Sequence, residues 1–196
     1  MKTLLLATGN PGKLAELRRM LAPFEIQVVA PADRGLDLDV VEDRDTFVGN
    51  ATKKAQEFAA ASGLPSLSDD SGLEVDALNG APGVWSARYA GEGATDEANR
   101  HKLLEALKGV EDRAARFRCV LVLSSPEGEI LFQSDGVCEG EILQEERGTQ
   151  GFGYDSLFLA AGQTLSMAEL GPDAKHAISH RGKAMRALLV WLRTRI

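Results

Sequence analysis

The sequence predicts an α/β domain with a mixed sheet, and three observations carry that prediction. Apolar runs of strand length alternate with stretches of helical period over roughly the first third of the chain. From Phe117 the period changes to two longer strand-like runs around Pro126-Glu127-Gly128-Glu129, a hairpin signal that sets antiparallel strands beside the α-β alternation. The pattern closes on an amphipathic helix from about Ser179 to Arg193, apolar at Ala184, Leu188, Trp191 and Leu192.

Each element has its own warrant. Leu4 to Ala7 is a short apolar run broken by Thr8-Gly9-Asn10-Pro11-Gly12-Lys13, after which Leu14, Leu17 and Leu21 share one helical face. Ile26 to Ala30 is strand-like, and the acidic segment Asp37 to Asp45 reads as a loop. Thr46 to Ala61 carries Phe47, Ala51, Ala55 and Phe58 at helical spacing, and Gly63 with Pro65 stops it. Ser68 to Ala77 reads as extended. Thr95 or Asp96 can cap a helix holding Leu103, Leu104 and Leu107, closed by Gly109. Phe117 to Ser125 and Ile130 to Cys138 are the hairpin arms.

With 196 residues, 44% of them hydrophobic, the chain can bury a sizeable core, and no repeat, low-complexity tract or linker divides it; residues 1–196 read as one domain. Twenty-nine acidic against 22 basic residues leave a net charge of −7, which argues against affinity built on neutralising a nucleic-acid backbone. A small polyanion is still compatible, because a few cations can converge in one pocket. No apolar run approaches the ~20 residues that span a bilayer, and the start lacks the features of a signal peptide. Cys119 and Cys138 stand far apart without zinc spacing, as reduced thiols of a cytoplasmic protein would.

Several stretches break the local pattern. The strand, glycine-containing turn and helix start around Thr8–Lys13 form either an ordinary βα connection or an anion site made from backbone N–H groups, a helix dipole and Lys13. The glycine spacing is not that of a Walker loop. In "SLSDDSGLEVDA" an extended chain places Asp70, Glu74 and Asp76 on one face and Asp69 on the other. Such a carboxylate cluster is either a solvated acidic edge strand or an oxygen-ligand site suited to Mg²⁺, to which the Asp39/Glu42/Asp43 loop could add a ligand. Lys54 lies inside the apolar stripe of its helix, so it either snorkels outward or reaches into a cleft. In "GTQGFGYDSLF" three glycines surround Phe152 and Tyr154, which suits a flat ligand stacked on a ring, or a bulge entering a strand. In "KHAISHRGKA" a capping Ser179 gathers Lys175, His180 and Arg181, donors for an acceptor-rich ligand.

Taken in order, "ATGNPGK", "TFVGNATKKA", "SDDSGLEVDALNGAPGVWSARYAG", "RFRCVL", "GFGYDSLF" and "ISHRGKA" resemble the inosine triphosphate pyrophosphatase family over nearly the whole chain. Two departures stand out: Ser156 replaces the proline of the family's "GYDP", and Gly49 replaces a glutamate in "TFxENA". The resemblance implies an elongated two-lobed α/β fold, with a long mixed sheet flanked by helices, a cleft between the lobes, and a homodimer. It implies Mg²⁺-dependent hydrolysis of dITP, ITP and XTP to the monophosphate and pyrophosphate, which cleanses the nucleotide pool. On the matching positions, Thr8, Gly9, Asn10, Pro11, Gly12 and Lys13 would hold the triphosphate with help from Lys54. Asp70 would be general base and Mg²⁺ ligand, joined by Glu42 or, as second choice, Asp39. Ser71 would touch the substrate, while Phe152, Gly153, Tyr154, Asp155, Lys175, His180 and Arg181 would form the purine pocket.

Three rivals have distinct signatures. A non-hydrolytic nucleotide-binding module would not need the carboxylates near Asp70, an interaction protein would show no nucleotide-dependent melting shift, and a Maf-like pyrophosphatase would prefer pyrimidine or methylated nucleotides.

Overall fold

A computed structural model of the chain describes residues 2–195. Six strands form one mixed sheet in the order β2-β1-β3-β4-β5-β6: β1 (Thr3–Leu6), β2 (Gln27–Val29), β3 (Ser66–Val75), β4 (Ala114–Ser124), β5 (Ile130–Ile142) and β6 (Phe158–Ala160). β1 pairs in parallel with β2 (Leu4 with Val28) and with β3 (Leu6 with Leu67), whereas β5 and β6 are antiparallel (Glu141 with Leu159). The helices are α1 (Pro11–Leu21), α2 (Phe47–Ser62), α3 (Asp96–Ala106), α4 (Pro172–Ile178) and α5 (His180–Arg193). The predicted α/β class and mixed sheet are present. Contacts divide the chain into two compact units with a boundary inside β3, between Asp70 and Ser71.

The first unit joins the chain up to Asp70 with Val120–Asp135 and the segment from Ala184 onward. β1 is fully buried from Leu4 to Leu6, as a parallel strand covered on both faces must be. Asn10 caps α1 by accepting the Lys13 N–H at 3.0 Å, and Pro11 takes the first helical position, where its missing donor costs nothing. Thr46 caps α2 by accepting from the Gly49 N–H at 3.1 Å, and Gly63 ends it with a left-handed φ of 66°. Before α2 the acidic loop alternates in burial: Leu36, Leu38 and Val40 turn toward the Leu5/Phe58 core, while Asp37 and Asp39 are exposed. The hairpin loop is closed by Ser125 donating to Glu129 O at 2.8 Å.

The second unit comprises Ser71–Cys119 and Gly136–Lys183. Its core packs Leu73 and Val75 of β3 with Leu103 of α3 and Leu107 just after it, Phe117 of β4, and Tyr154, Leu157 and Phe158. Thr95 rather than Asp96 caps α3, accepting from Ala98 N–H at 3.1 Å. The extended reading through Ala77 is corrected: β3 stops at Val75, and Asp76–Leu78 is a 3₁₀ turn. Ionic pairing contributes there. Asp76 makes a two-point contact with Arg116, at 2.8 and 2.9 Å, and Glu74 lies 3.7 Å from Arg118, so arginines of β4 balance these carboxylates. The short α4 was not foreseen, since its seven residues are too few for a periodic signal. Ser179 caps α5 as expected, accepting from Gly182 N–H at 3.0 Å.

Two glycines differ in what the fold asks of them. A Cβ on Gly182 would lie 1.8 Å from the His176 carbonyl oxygen, whereas Gly9 has no left-handed φ and a Cβ added there would meet nothing within 4 Å. Gly182→Ala should therefore cost about 2 kcal/mol or more in denaturant unfolding through backbone displacement. Gly9→Ala should stay within about 0.5 kcal/mol of the parent.

Candidate active site

In the first unit, two lysines meet three carboxylates. α1 begins at the Thr8–Lys13 turn, where Thr8 Oγ1 accepts the Asn10 N–H at 3.1 Å and turns the chain into the helix. One helical turn in, Lys13 Nζ forms an ion pair with the Asp69 carboxylate and reaches the Asp69 carbonyl at 3.4 Å. Lys54 does not snorkel outward. It is buried, with Nζ 2.7 Å from Glu42 Oε1, 3.1 Å from Asp70 Oδ1 and 3.0 Å from the Asp69 carbonyl. β3 supplies both aspartates from the middle of the sheet, which excludes the solvated edge-strand reading: Asp69 is 1% and Asp70 5% exposed.

Strand alternation sends these two neighbours to different lysines, Asp69 to Lys13 and Asp70 to Lys54. Asp69 is the residue that sequence reasoning left aside. Its signal was the doubled carboxylate itself, because two lysines approaching one strand offer a counter-ion for each. Between the two candidate loop ligands, the burial alternation favours Glu42, which is in phase with Leu38 and Val40, while Asp39 is exposed.

The electrostatics of this cluster are uneven. Burial pushes the Asp70 carboxyl above its ordinary value, and Glu42 adds repulsion, against the opposing pull of Lys54 and Lys13. Burial alone would lower the Lys54 ammonium, but Asp70 and Glu42 outweigh it and hold Lys54 above its usual range. Asp70 Oδ2 is buried with no hydrogen-bond partner among the described residues. An orphaned carboxylate oxygen beside a second carboxylate is a donor set that fits Mg²⁺. Among the described residues no three His, Cys, Asp or Glu side chains are placed so that together they could hold a metal ion. A divalent ion here would thus complete its shell with water and ligand oxygens, as Mg²⁺ commonly does.

In the second unit, cations surround a half-buried ring. Lys175 Nζ lies 5.1 Å and the Arg181 guanidinium 5.7 Å from the centroid of Phe152. Asp155 Oδ2 accepts from Lys175 at 2.8 Å and from the Phe152 N–H at 2.9 Å, tying the aromatic to α4. Arg181, 2% exposed, donates to Ser71 Oγ at 2.9 Å. The structure thus brings Ser71, Phe152, Asp155, Lys175 and Arg181 together. Gly153 lies beside Phe152 at a left-handed φ of 62°.

Tyr154 and His180 occupy different surroundings. The Tyr154 ring packs in the core and its hydroxyl donates to Ser86 O at 2.8 Å, with burial raising its pKa, so it braces the pocket loop and offers no open face. The His180 ring stacks on Phe117 at 4.8 Å and 16°. Sequence alternation around glycines could not separate the half-buried aromatic, Phe152, from the buried one, Tyr154.

The model of the Ham1 family matches residues 4–191. A dITP/XTP pyrophosphatase of Syntrophobacter fumaroxidans is 51% identical over 98% of this chain and 85% of its own. A dITP/XTP pyrophosphatase of Desulfotalea psychrophila is 46% identical over 98% and 89%. The structure of a HAM1 protein from Coxiella burnetii superposes with a TM-score of 0.90 at 44% identity, covering 99% of this chain and all of that one.

A pH-dependent stability follows from Asp70. With its folded pKa above the ordinary 3.8, the native state retains a proton that the unfolded chain releases. Stability is then lost as pH rises from the ordinary carboxyl range through the raised value. Asp70→Asn avoids that loss, so without added metal it should melt higher than the parent at pH 7, and the difference should vanish as pH falls toward 4. Calorimetry across that window checks it.

Proposed function

The chain belongs to the Ham1 family, and from that footing we propose that it is a nucleoside triphosphate pyrophosphatase acting on dITP, ITP and XTP. The single observation that carries the reading is the buried Asp70, with one oxygen on Lys54 and the other without a hydrogen-bond partner among the described residues. A non-hydrolytic nucleotide binder has no use for a carboxyl kept basic by burial. A hydrolase does, because a carboxylate made more basic by burial is better placed to take the proton of an attacking water.

The roles divide by unit. Thr8–Lys13 would receive the triphosphate on the N-terminus of α1, with Gly9 leaving room for close backbone approach. Asp70 would orient water for attack on the α-phosphorus and take its proton as the α-β anhydride breaks. Lys13 and Lys54 would carry the charge of the departing pyrophosphate. Mg²⁺, bound by Asp70 and Glu42 together with phosphate oxygens, would neutralise charge that develops on the phosphates. In the second unit Phe152 would stack on the base, with Lys175 and Arg181 as donors. Hypoxanthine and xanthine present an acceptor oxygen at position 6, where adenine presents an amino donor. A buried donor-to-donor mismatch of that kind is worth on the order of 10⁴-fold in discrimination.

Homodimeric assembly, a cytoplasmic location and removal of deaminated purines from the nucleotide pool belong to the same proposal. The net charge of −7 supports a small nucleotide rather than nucleic acid as the partner. No helix among the described residues is long and apolar enough to cross a membrane.

Pyrophosphate release from a panel of ITP, XTP, ATP and pyrimidine triphosphates tests the reading directly; activity confined to pyrimidines would overturn it. Within that assay Asp70→Asn should lower kcat at least ~10²-fold at saturating Mg²⁺. Asp69→Asn, which loosens Lys13 but leaves the base in place, should cost far less, and the reverse order would show the base misassigned. Phe152→Ala should raise KM for ITP by roughly tenfold, as expected when base stacking of about 1–3 kcal/mol is lost.

A further inference from the structure

The loop from Gly148 to Ser156 carries Phe152, which is half-buried beside an exposed Gly151, while Tyr154, Asp155 and Ser156 after it are buried. Gly148, Gly151 and Gly153 all take left-handed φ, at 80°, 83° and 62°, and a cavity of about 270 Å³ lies against it, lined by Arg100, Glu146, Phe152, Gly153 and Ser156 among others. Besides the Asp155 carboxylate on the Phe152 N–H, a second polar restraint acts on the tip of the loop. α3 supplies it. Asp96 and Arg100 stand one turn apart on the same helical face and grip the residue next to Phe152: Asp96 Oδ2 accepts the Gly153 N–H at 2.7 Å, and Arg100 donates to the Gly153 carbonyl at 3.0 Å. The same guanidinium lies 2.9 Å from Glu146, whose carboxylate accepts from the Ser156 hydroxyl at 2.8 Å. Arg100 therefore ties the tip of the loop to both of its ends. Ser156, the departure from the "GYDP" pattern, has a use here: a hydroxyl in a hydrogen-bonded chain restrains a position where a proline ring would restrain φ.

We infer that Arg100 is a positioning residue for base recognition, holding Phe152 through Gly153 and through the Glu146–Ser156 pair. This rests on the reading that Phe152 contacts the base. If the ring must be pre-set to stack on a purine, loosening its loop weakens binding and leaves the hydrolytic step, which depends on Asp70, unchanged. A residue that only stabilised the fold would change melting temperature without that split.

The test is a double-mutant cycle on ITP hydrolysis with Arg100→Ala, Phe152→Ala and the double variant, alongside melting temperatures. Arg100→Ala should raise KM about fivefold with kcat within about twofold, and should add nothing further once Phe152 is alanine. Arg100→Lys, which keeps a charge for Glu146 but not the fork, should recover only part of the loss. Glu146→Gln, which removes the ion pair yet leaves an acceptor for Ser156, should shift KM in the same direction and guards against a folding defect in the first variant. An unchanged KM in Arg100→Ala with a raised KM in Phe152→Ala overturns the positioning role alone, as do multiplicative effects in the double variant. An unchanged KM in Phe152→Ala overturns the base-stacking reading beneath it.

Discussion

A lysine ammonium on the apolar face of α2 would be intolerable without oxygens around it, and the first unit is organised to supply them. Lys54 draws Glu42 from the acidic loop, Asp70 from β3 and the Asp69 carbonyl onto one nitrogen. Removing such charges from water costs several kcal/mol per ion, which the cluster recovers only by mutual pairing. Much of the local architecture serves that pairing. The buried Asn50 bonds both the N–H and the carbonyl of Arg44, at 3.0 and 3.2 Å, and so fastens the loop that carries Glu42. The Ser68 hydroxyl, donating to Ala51 O at 2.5 Å, joins β3 to α2 just before the two aspartates.

The compensation is incomplete at one atom. Asp70 has one oxygen satisfied and one buried without a hydrogen-bond partner among the described residues, and its pKa is raised despite two nearby lysines. A fold selected for stability alone would have little reason to keep that arrangement, since an unsatisfied buried polar atom costs about 1–3 kcal/mol. A hydrolytic site has reason to keep it. The same oxygen that is a liability to the folded chain is available to a cation or a water.

The second unit solves a different problem, that of holding an aromatic ring half-exposed. Burial of the ring would fix it and also hide it. Here the neighbouring Tyr154 enters the core and anchors through Ser86, Asp155 ties the Phe152 N–H to Lys175, and α3 grips Gly153. The glycines permit the left-handed turns that set two adjacent aromatics in opposite environments.

By itself the sequence determined the elements whose signals are local. Helical and strand periods, the Ser179 cap, the Gly63 stop and the hairpin turn all act within a few residues, and the elements read from them appear within a few positions of their expected bounds. The ordered motifs determined the family. What the sequence left open was whatever depends on a partner distant along the chain. Whether Lys54 turned outward or inward was decided by Glu42 and Asp70, 12 and 16 positions away. Asp69 became a counter-ion because Lys13 reaches it from 56 positions away, and Asp76 left the carboxylate group because Arg116 holds it from 40. Burial and charge pairing are properties of where chain segments meet, and only the tertiary structure decides that.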